Sequence, residues 1–134
     1  MSTPIPLPPA ARLSLVDRAV GLTAVGAARL IALTPPVVLM RLLRLLRTGA
    51  RPATYREAAR AREIVTSVSI MCAGEGCVQR SIATVVISRL RGSWPIWRSG
   101  VRHDPFRAHA WVEAEGHPVE EPETTTGYTP ILSV

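Results

Sequence analysis

The sequence predicts an α+β fold in which helices occupy the first two thirds of the chain and a small antiparallel sheet follows them. Apolar residues recur at helical spacing up to about residue 92, and after it they alternate with polar residues as in strands. The chain has 134 residues, of which 47% are hydrophobic. This length and composition suffice for one domain with its own core and exclude a chain that is disordered throughout.

Two helices are predicted in the first fifty residues. Four prolines keep residues 1–10 extended, and Ser14 is a suitable N-cap for a helix over residues 15–33. The double proline at residues 35–36 ends this helix, because the second proline forces the first out of the helical region and neither has an N–H to donate. A second helix over residues 37–47 follows.

Two more helices precede the sheet. The third is predicted from Thr54 to about Met71, and the fourth covers residues 77–91, with glycines before it and Gly92 as its C-terminal cap. Cys77 lies in the first turn of the fourth helix, where unpaired backbone N–H groups and the positive end of the helix dipole favour a thiolate. Cys77 is therefore a candidate nucleophile, and a small buried hydrophobic residue is the alternative.

A β-hairpin is predicted in residues 106–121. Its two strands meet at Glu115-Gly116, and the alternation places His109 and Trp111 on one face. An imidazole can take the proton of a thiol, and a carboxylate can fix the orientation of that imidazole. The hairpin therefore supplies the two groups that a nucleophilic cysteine needs.

A helix-borne cysteine, then a strand-borne histidine, then an acid is the order in which papain-like and transglutaminase-like enzymes build a catalytic triad. About a dozen positions of the chain also agree in order and spacing with one family. They are Cys77-x-x-Arg80-Ser81-x-Ala83, Gly92, Gly100-Val101, Pro105-Phe106-x-Ala108-His109-Ala110-Trp111-Val112-Glu113-x-x-Gly116 and Tyr128-x-Pro130-Ile131. This series resembles the lasso-peptide maturation proteases, and more narrowly the leader-peptidase half of their split B protein, a transglutaminase-like family.

The resemblance implies a fold and an activity. The fold would be a transglutaminase-like or papain-like core in residues 54–134, in which the nucleophile helix packs on the sheet. A basic helical arm in residues 1–53 would pack on this core or on a partner. Such proteins are cysteine peptidases that cut the leader from a ribosomally made lasso precursor peptide, with Cys77 as the nucleophile and His109 as the general base. Hydrolysis would pass through a thioester on Cys77, although transglutaminase-like folds also transfer acyl groups to amines.

The resemblance also implies partners. In split systems a small leader-recognition-element protein captures the leader and delivers it to the peptidase, and a separate macrolactam synthetase then closes the lasso ring. No cofactor is expected for this chemistry. The alternative from another class of function is a non-catalytic adaptor with a vestigial triad.

The acid of the triad stays open between two neighbouring glutamates. The family usually has Asp at the position of Glu121, so this chain carries a side chain one methylene longer. A two-residue hairpin loop pairs Trp111 with Glu120 and turns Glu120 toward the face of His109, whereas a three-residue loop pairs Trp111 with Glu121. The spacing along the chain favours Glu121, and Glu120 is the alternative.

Three further residues are candidates for contacts with an oxyanion or with the substrate. Gln79 and Arg80 lie one turn inside the nucleophile helix, where a solvated or salt-bridged helix face is the alternative. Trp111 shares the face of His109, so it either shields the bond between His109 and the acid or packs in the core. The backbone N–H of Cys77 is the expected oxyanion donor.

The cysteines and histidines are also candidate zinc ligands. Cys72-x4-Cys77 and His103-x5-His109 fall within zinc-site spacings. Because the pattern lacks paired ligand turns, we expect no metal, and we expect His103 and His117 to be exposed loop residues.

All the basic residues are arginines, and they lie mainly in the first half. Residues 1–62 hold ten arginines and two acids, a net charge of +8, whereas residues 63–134 have a net charge of −2. Five glutamates between residues 113 and 123 argue against nucleic-acid binding by the second half. Residues 19–40 carry one charge, Arg29, but this charge and the double proline fall near the middle, which disfavours a membrane span.

The remaining expectations concern location and solubility. With two cysteines and no signal-peptide cleavage pattern, a cytoplasmic protein is predicted. The two N-terminal helices offer more apolar surface than a small core can cover. We therefore expect poor solubility without a partner, and peripheral membrane contact is the alternative to partner binding.

Overall fold

The computed structural model describes residues 6–7 and 9–134, so part of the predicted extended stretch over residues 1–10 lies outside the described residues. The helices in this part of the chain are α1 (Leu15–Ala32), α2 (Pro36–Arg47), α3 (Tyr55–Val68), α4 (Ile70–Ala73) and α5 (Cys77–Leu90). The strands are β1 (Arg51–Pro52), β2 (Ser93–Trp94), β3 (Ile96–Arg102), β4 (Arg107–Ala114), β5 (His117–Pro118) and β6 (Thr129–Ser133), and a 3₁₀ helix covers Glu123–Gly127.

The order of helices and strands confirms the predicted α+β class. Four antiparallel strands form a sheet in the order β5-β4-β3-β6, and β1 pairs with β2 in a separate parallel pair. The change from helix to strand falls at Gly92. Its φ of 86° is a left-handed conformation that glycine adopts without strain, so this residue ends α5 as predicted.

The predicted helix starts are confirmed. The Ser14 hydroxyl accepts the N–H of Asp17 at 3.1 Å, and the Thr54 hydroxyl accepts the N–H of Glu57 at 3.2 Å. Helix α2 begins at Pro36, one residue earlier than predicted, because proline suits the first helical position, which needs no N–H.

The third helix is shorter than predicted. Helix α3 ends at Val68 and not at Met71, because Ser69 adopts an extended backbone with φ −139° and ψ 117°. The Ser69 hydroxyl accepts the N–H of Cys72 at 3.2 Å and so caps the short helix α4. The chain therefore turns before it enters α5.

Helix α5 is the central element of the fold, and α1, α3 and β4 all pack against it. It is buried on nearly all sides, which requires that its polar side chains find partners. The hydroxyls of Thr84 and Ser88 donate to carbonyls four residues earlier, at 2.7 and 2.9 Å. Trp97 in β3 donates its indole N–H to the Ser81 hydroxyl at 2.9 Å, which ties the sheet to the helix.

Helix α1 packs on α3 and α5 through small residues. Gly21, Ala24 and Ala28 are buried, and a Cβ at Gly21 would lie 2.8 Å from the Cγ2 atom of Ile64. Residues of α1 and α2 belong to the same hydrophobic core as the rest of the fold. The division into an arm and a core at residue 53 stays a prediction.

The outer faces of the first two helices expose large apolar side chains between arginines. Leu15, Leu22, Leu30 and Leu33 are all exposed, and so is Leu45 in α2. Within residues 6–7 and 9–134, no helix is both long enough and apolar enough to cross a membrane.

Candidate active site

Cys77 is the first residue of α5, as predicted. The glycine before it, Gly76, is needed for close packing, because a Cβ there would lie 2.8 Å from the carbonyl oxygen of Met71. The Cys77 thiol is half-buried and lines an open cleft of about 740 Å³. Cys72, the other free cysteine, is fully buried in the core.

His109 in β4 lies between this thiol and a carboxylate. Its Nε2 atom is 3.0 Å from Oε2 of Glu121, which leaves Nδ1 as the ring nitrogen that can serve Cys77. The side chain of Glu121 is only 4% exposed, so water has little access to its bond with the imidazole. The structure thus brings together Cys77, His109 and Glu121.

The thiol and the imidazole stabilise each other's charged forms. Burial acts to raise the pKa of Cys77, but the interaction with His109, a backbone hydrogen bond at Ala110 and the charge of Arg80 outweigh it, so the pKa is lowered. Burial acts to lower the pKa of His109, but Cys77 and Glu121 raise it to about 9. Between the two pKa values the pair is a thiolate and an imidazolium, the reactive form of a nucleophilic cysteine.

The hairpin has the predicted two-residue loop, but Glu120 does not face His109 as this loop predicts. Glu115 and Gly116 form the loop with φ of 54° and 81°, and the flanking residues pair in the register of a two-residue turn. Regular alternation from this loop would turn Glu120 toward the face of His109. Glu121 occupies that place instead.

Glu120 breaks the alternation because its backbone is left-handed, with a φ of 51°. Its side chain turns to Tyr55 at the start of α3, whose hydroxyl donates to Oε1 at 3.2 Å. The next residue, Glu121, then faces His109. The register argument for Glu120 is therefore wrong, and the spacing argument for Glu121 agrees with the geometry.

Arg80 supports the turn before the nucleophile. It is only 7% exposed, so the solvated helix face is wrong for it, whereas the alternative of a salt-bridged side chain agrees with its place beside Glu121. One guanidinium nitrogen donates to the carbonyl oxygens of Cys72 and Gly74 at 3.0 and 2.9 Å. Another lies 3.9 Å from Oε1 of Glu121. Arg80 therefore connects the segment that leads into α5 with the carboxylate.

Sequence reasoning missed Arg62 in α3. Its guanidinium also lies 3.9 Å from Oε1 of Glu121, while burial and the neighbouring charge of Arg80 lower its pKa. Glu121 therefore has His109 at one oxygen and two guanidinium groups at the other. No local motif signals Arg62, because its place depends on how α3 packs beside the hairpin.

The remaining predicted contacts are placed differently from expectation. Gln79 does not line the cleft, and its Oε1 is buried without a hydrogen-bond partner in the described part of the chain. Trp111 is also outside the cleft lining and stacks on the ring of His109, with centroids 5.8 Å apart. The N–H of Cys77 donates to the carbonyl of Glu75 at 2.8 Å, so the expected oxyanion donor is already engaged.

Tyr128 is a second aromatic neighbour of His109, with ring centroids 5.4 Å apart, and it lines the cleft together with Arg107. The sequence pointed to Tyr128 only through the series that carries the family resemblance.

Among the described residues, no group of three histidines, cysteines or acids is arranged to hold a metal ion. His103 and His117 are exposed as expected, but His117 lies in strand β5 and not in a loop.

A half-buried thiol on a central helix faces an imidazole from an antiparallel sheet and a carboxylate from the segment that follows strand β5. This is the arrangement of papain-like and transglutaminase-like proteins. The family comparison agrees, because the sequence model of the transglutaminase-like superfamily matches residues 21–133. The chain therefore belongs to the transglutaminase-like superfamily, which includes cysteine peptidases. Searches of curated proteins and of solved structures found no match.

Proposed function

We propose that the protein is a cysteine peptidase that removes the leader from a lasso precursor peptide. The observation that carries the proposal is the group of Cys77, His109 and Glu121, in which the thiol has a lowered pKa and the imidazole a raised one. The resemblance of the series between residues 77 and 131 supports the substrate class.

In the first step the Cys77 thiolate attacks the carbonyl carbon of the last leader residue. A C–S bond forms, and the C–N bond of the peptide breaks as the imidazolium of His109 gives its proton to the leaving amine. The leader is then held as a thioester on Cys77, and the core peptide leaves with a free N-terminus.

In the second step neutral His109 takes a proton from water, and the resulting hydroxide attacks the thioester. The C–S bond breaks, the leader leaves as a carboxylic acid, and the thiolate and imidazolium are restored. Glu121 keeps the ring in place throughout, since it binds Nε2.

The oxyanion of each step would form near the first turn of α5, whose dipole favours negative charge. With the N–H of Cys77 bound to Glu75, the next N–H groups of this turn, those of Val78 and Gln79, are the proposed donors. Neither of these two has a backbone acceptor among the described residues.

The proposed partners are a leader-recognition protein, which would deliver the precursor, and a macrolactam synthetase, which would act on the released core. The resemblance of the motif series supports both. The open cleft beside Cys77 has room for an extended peptide segment, which is what a delivered leader end would present.

Mass spectrometry of a lasso precursor, incubated with this protein and a recognition partner, tests the proposal. We expect cleavage at the leader end with the wild type and with Cys72→Ala, which removes the other thiol. Cys77→Ala and His109→Ala should lose it by on the order of 10³-fold or more. Cleavage that survives in Cys77→Ala would exclude this nucleophile, and no cleavage by the wild type would favour the adaptor.

Iodoacetamide separates the peptidase from the adaptor without a substrate. An activated Cys77 thiolate should be alkylated near neutral pH much faster than free cysteine, whereas Cys72 should react slowly in either case because it is fully buried. Alkylation of Cys77 no faster than that of free cysteine would indicate that the group around Cys77 is vestigial.

A further inference from the structure

Glu120 and Glu121 are adjacent in the chain, but only the side chain of Glu121 contacts His109. A strand in regular register would present Glu120, so some contact must hold the chain out of that register. Tyr55, the first residue of α3, contacts Glu120 at this point.

The Tyr55 hydroxyl binds Glu120 twice. It donates to Oε1 at 3.2 Å and accepts the backbone N–H at 3.0 Å. The N–H bond acts on the backbone, so it holds the peptide plane before Glu120 as well as the side chain. Tyr55 is itself held by α3, whose inner face is buried in the core.

The hydrogen bonds to Tyr55 are made at a residue whose backbone conformation is unfavourable. Glu120 has a φ of 51°, a left-handed conformation that is unfavourable for a residue with a Cβ. Relaxation of this residue to an extended backbone would restore the alternation of the hairpin. Glu121 would then turn away from His109, and Glu120 would turn toward it.

We propose that Tyr55 is a positioning residue that, by holding Glu120 in the left-handed conformation, selects Glu121 as the partner of His109. The proposal rests on the proposed function, because it assumes that the pair of Glu121 and His109 serves Cys77. Its test needs no peptide substrate.

The readout is the titration of His109, followed by NMR in protein labelled with ¹³C-histidine. The charged groups that face this ring are Cys77 and Glu121, with Arg62 and Arg80 on the far side of the carboxylate. None of these four is changed by Tyr55→Phe, which removes only one hydroxyl.

Because Glu120 would replace Glu121 as a carboxylate partner in Tyr55→Phe alone, the test uses Glu120→Gln as its background. In Glu120→Gln we expect the pKa of His109 to stay at about 9, since Glu121 still meets the ring. In the double variant Tyr55→Phe, Glu120→Gln we expect it to fall, since a neutral amide takes the place of the carboxylate, and alkylation of Cys77 at neutral pH should slow. Thr66→Val is the matched control, because it removes a hydroxyl of α3 that binds only the carbonyl of Glu63. It should change neither measurement.

A second pair of variants tests the backbone directly. Glu120→Gly keeps the left-handed conformation at no steric cost, whereas Glu120→Val disfavours it. We therefore expect a pKa of His109 near that of the wild type in Glu120→Gly and a lower one in Glu120→Val. This pair stays informative even if Tyr55→Phe loses its fold.

The outcomes separate the two proposals. A pKa of His109 that stays at about 9 in the double variant Tyr55→Phe, Glu120→Gln overturns the role of Tyr55. One that stays at about 9 in Glu120→Val overturns the role of the left-handed backbone, and both outcomes leave the peptidase intact. An ordinary pKa near 6.5 in the wild type, together with slow alkylation of Cys77, counts against the proposed function itself.

Discussion

Helices α1 and α5 are both rich in apolar residues, but they bury them differently. Helix α5 is surrounded by α1, α3 and β4, and even its hydroxyls are paired inside the fold. Helix α1 buries Gly21, Ala24, Val25 and Ala28, whereas its leucines are exposed, with Leu15 86% and Leu30 70% exposed.

The difference follows from where each helix carries its large side chains. Gly21 and Ala24 let α1 approach its neighbours closely, so the inner face is tight. At about 100° per residue, Leu15, Leu22 and Leu33 fall on one line along the opposite face. A helix can thus belong to the core on one side and offer an apolar surface for a proposed partner on the other.

The largest effect is expected in the active site, to which α5 contributes Cys77. Glu121→Gln keeps the shape of the side chain but removes its charge, so the pKa of His109 should fall. Leader cleavage should drop by on the order of 10³-fold, because the imidazole is no longer oriented and charged. Steady-state kinetics with the precursor measure this, and a loss below tenfold would mean that another group orients the ring.

The second largest effect is expected for a substitution on the inner face of α1, which should lower the free energy of unfolding. Gly21→Val places two methyl groups where one Cβ would already lie 2.8 Å from Ile64, so unfolding free energy should fall by about 1–3 kcal/mol. The matched control is Gly26→Val on the exposed side, where a Cβ meets no atom within 4 Å. It should stay within about 0.5 kcal/mol of the wild type in urea titrations. Equal losses in both variants would contradict the close packing of α1.

The pH profile of cleavage sharpens the assignment of His109. Since its pKa is raised to about 9, the imidazolium is present below that pH and is lost above it. The kcat/KM for the precursor should therefore decline above pH 9, by about tenfold per pH unit, because no acid remains for the leaving amine. A decline that begins near pH 6.5 would show that the thiolate–imidazolium pair does not form.

The smallest effect on stability is expected at the outer face of α1. The double variant Leu22→Gln, Leu33→Gln should change unfolding free energy by less than about 0.5 kcal/mol, because both side chains are exposed. It should nonetheless reduce self-association in sedimentation velocity, whereas Ile131→Gln, an exposed site on β6, should not. A wild type that is monomeric at high concentration would refute the expected poor solubility.

Much of the fold could be predicted because its signals are local. The hydroxyl caps at Ser14 and Thr54, the double proline and the terminal Gly92 act within a few residues, and the helices begin and end close to the predicted places. The break at Ser69 was missed, since a serine inside an apolar helical pattern can either face solvent or cap a new turn.

The placement of Cys77 and His109 was also readable from the sequence. A cysteine in the first turn of a helix and a histidine on a strand of a hairpin are local features, and both lie within the residues that the superfamily model matches. What the sequence could not show is the surroundings of these groups. The burial of Arg80 and the approach of Arg62 depend on helices that pack against distant segments.

By itself the sequence determined the class of fold, the nucleophile helix and the hairpin loop, because backbone preferences and hydrophobic periodicity act over short distances. Only the tertiary structure decided which glutamate meets His109. That choice depends on a left-handed backbone at Glu120 and on the hydrogen bonds between Glu120 and Tyr55, 65 positions earlier in the chain. Glu115 adopts a similar conformation because a tight hairpin turn requires it, but no such turn exists at Glu120, where contacts with a packed neighbour stabilise it.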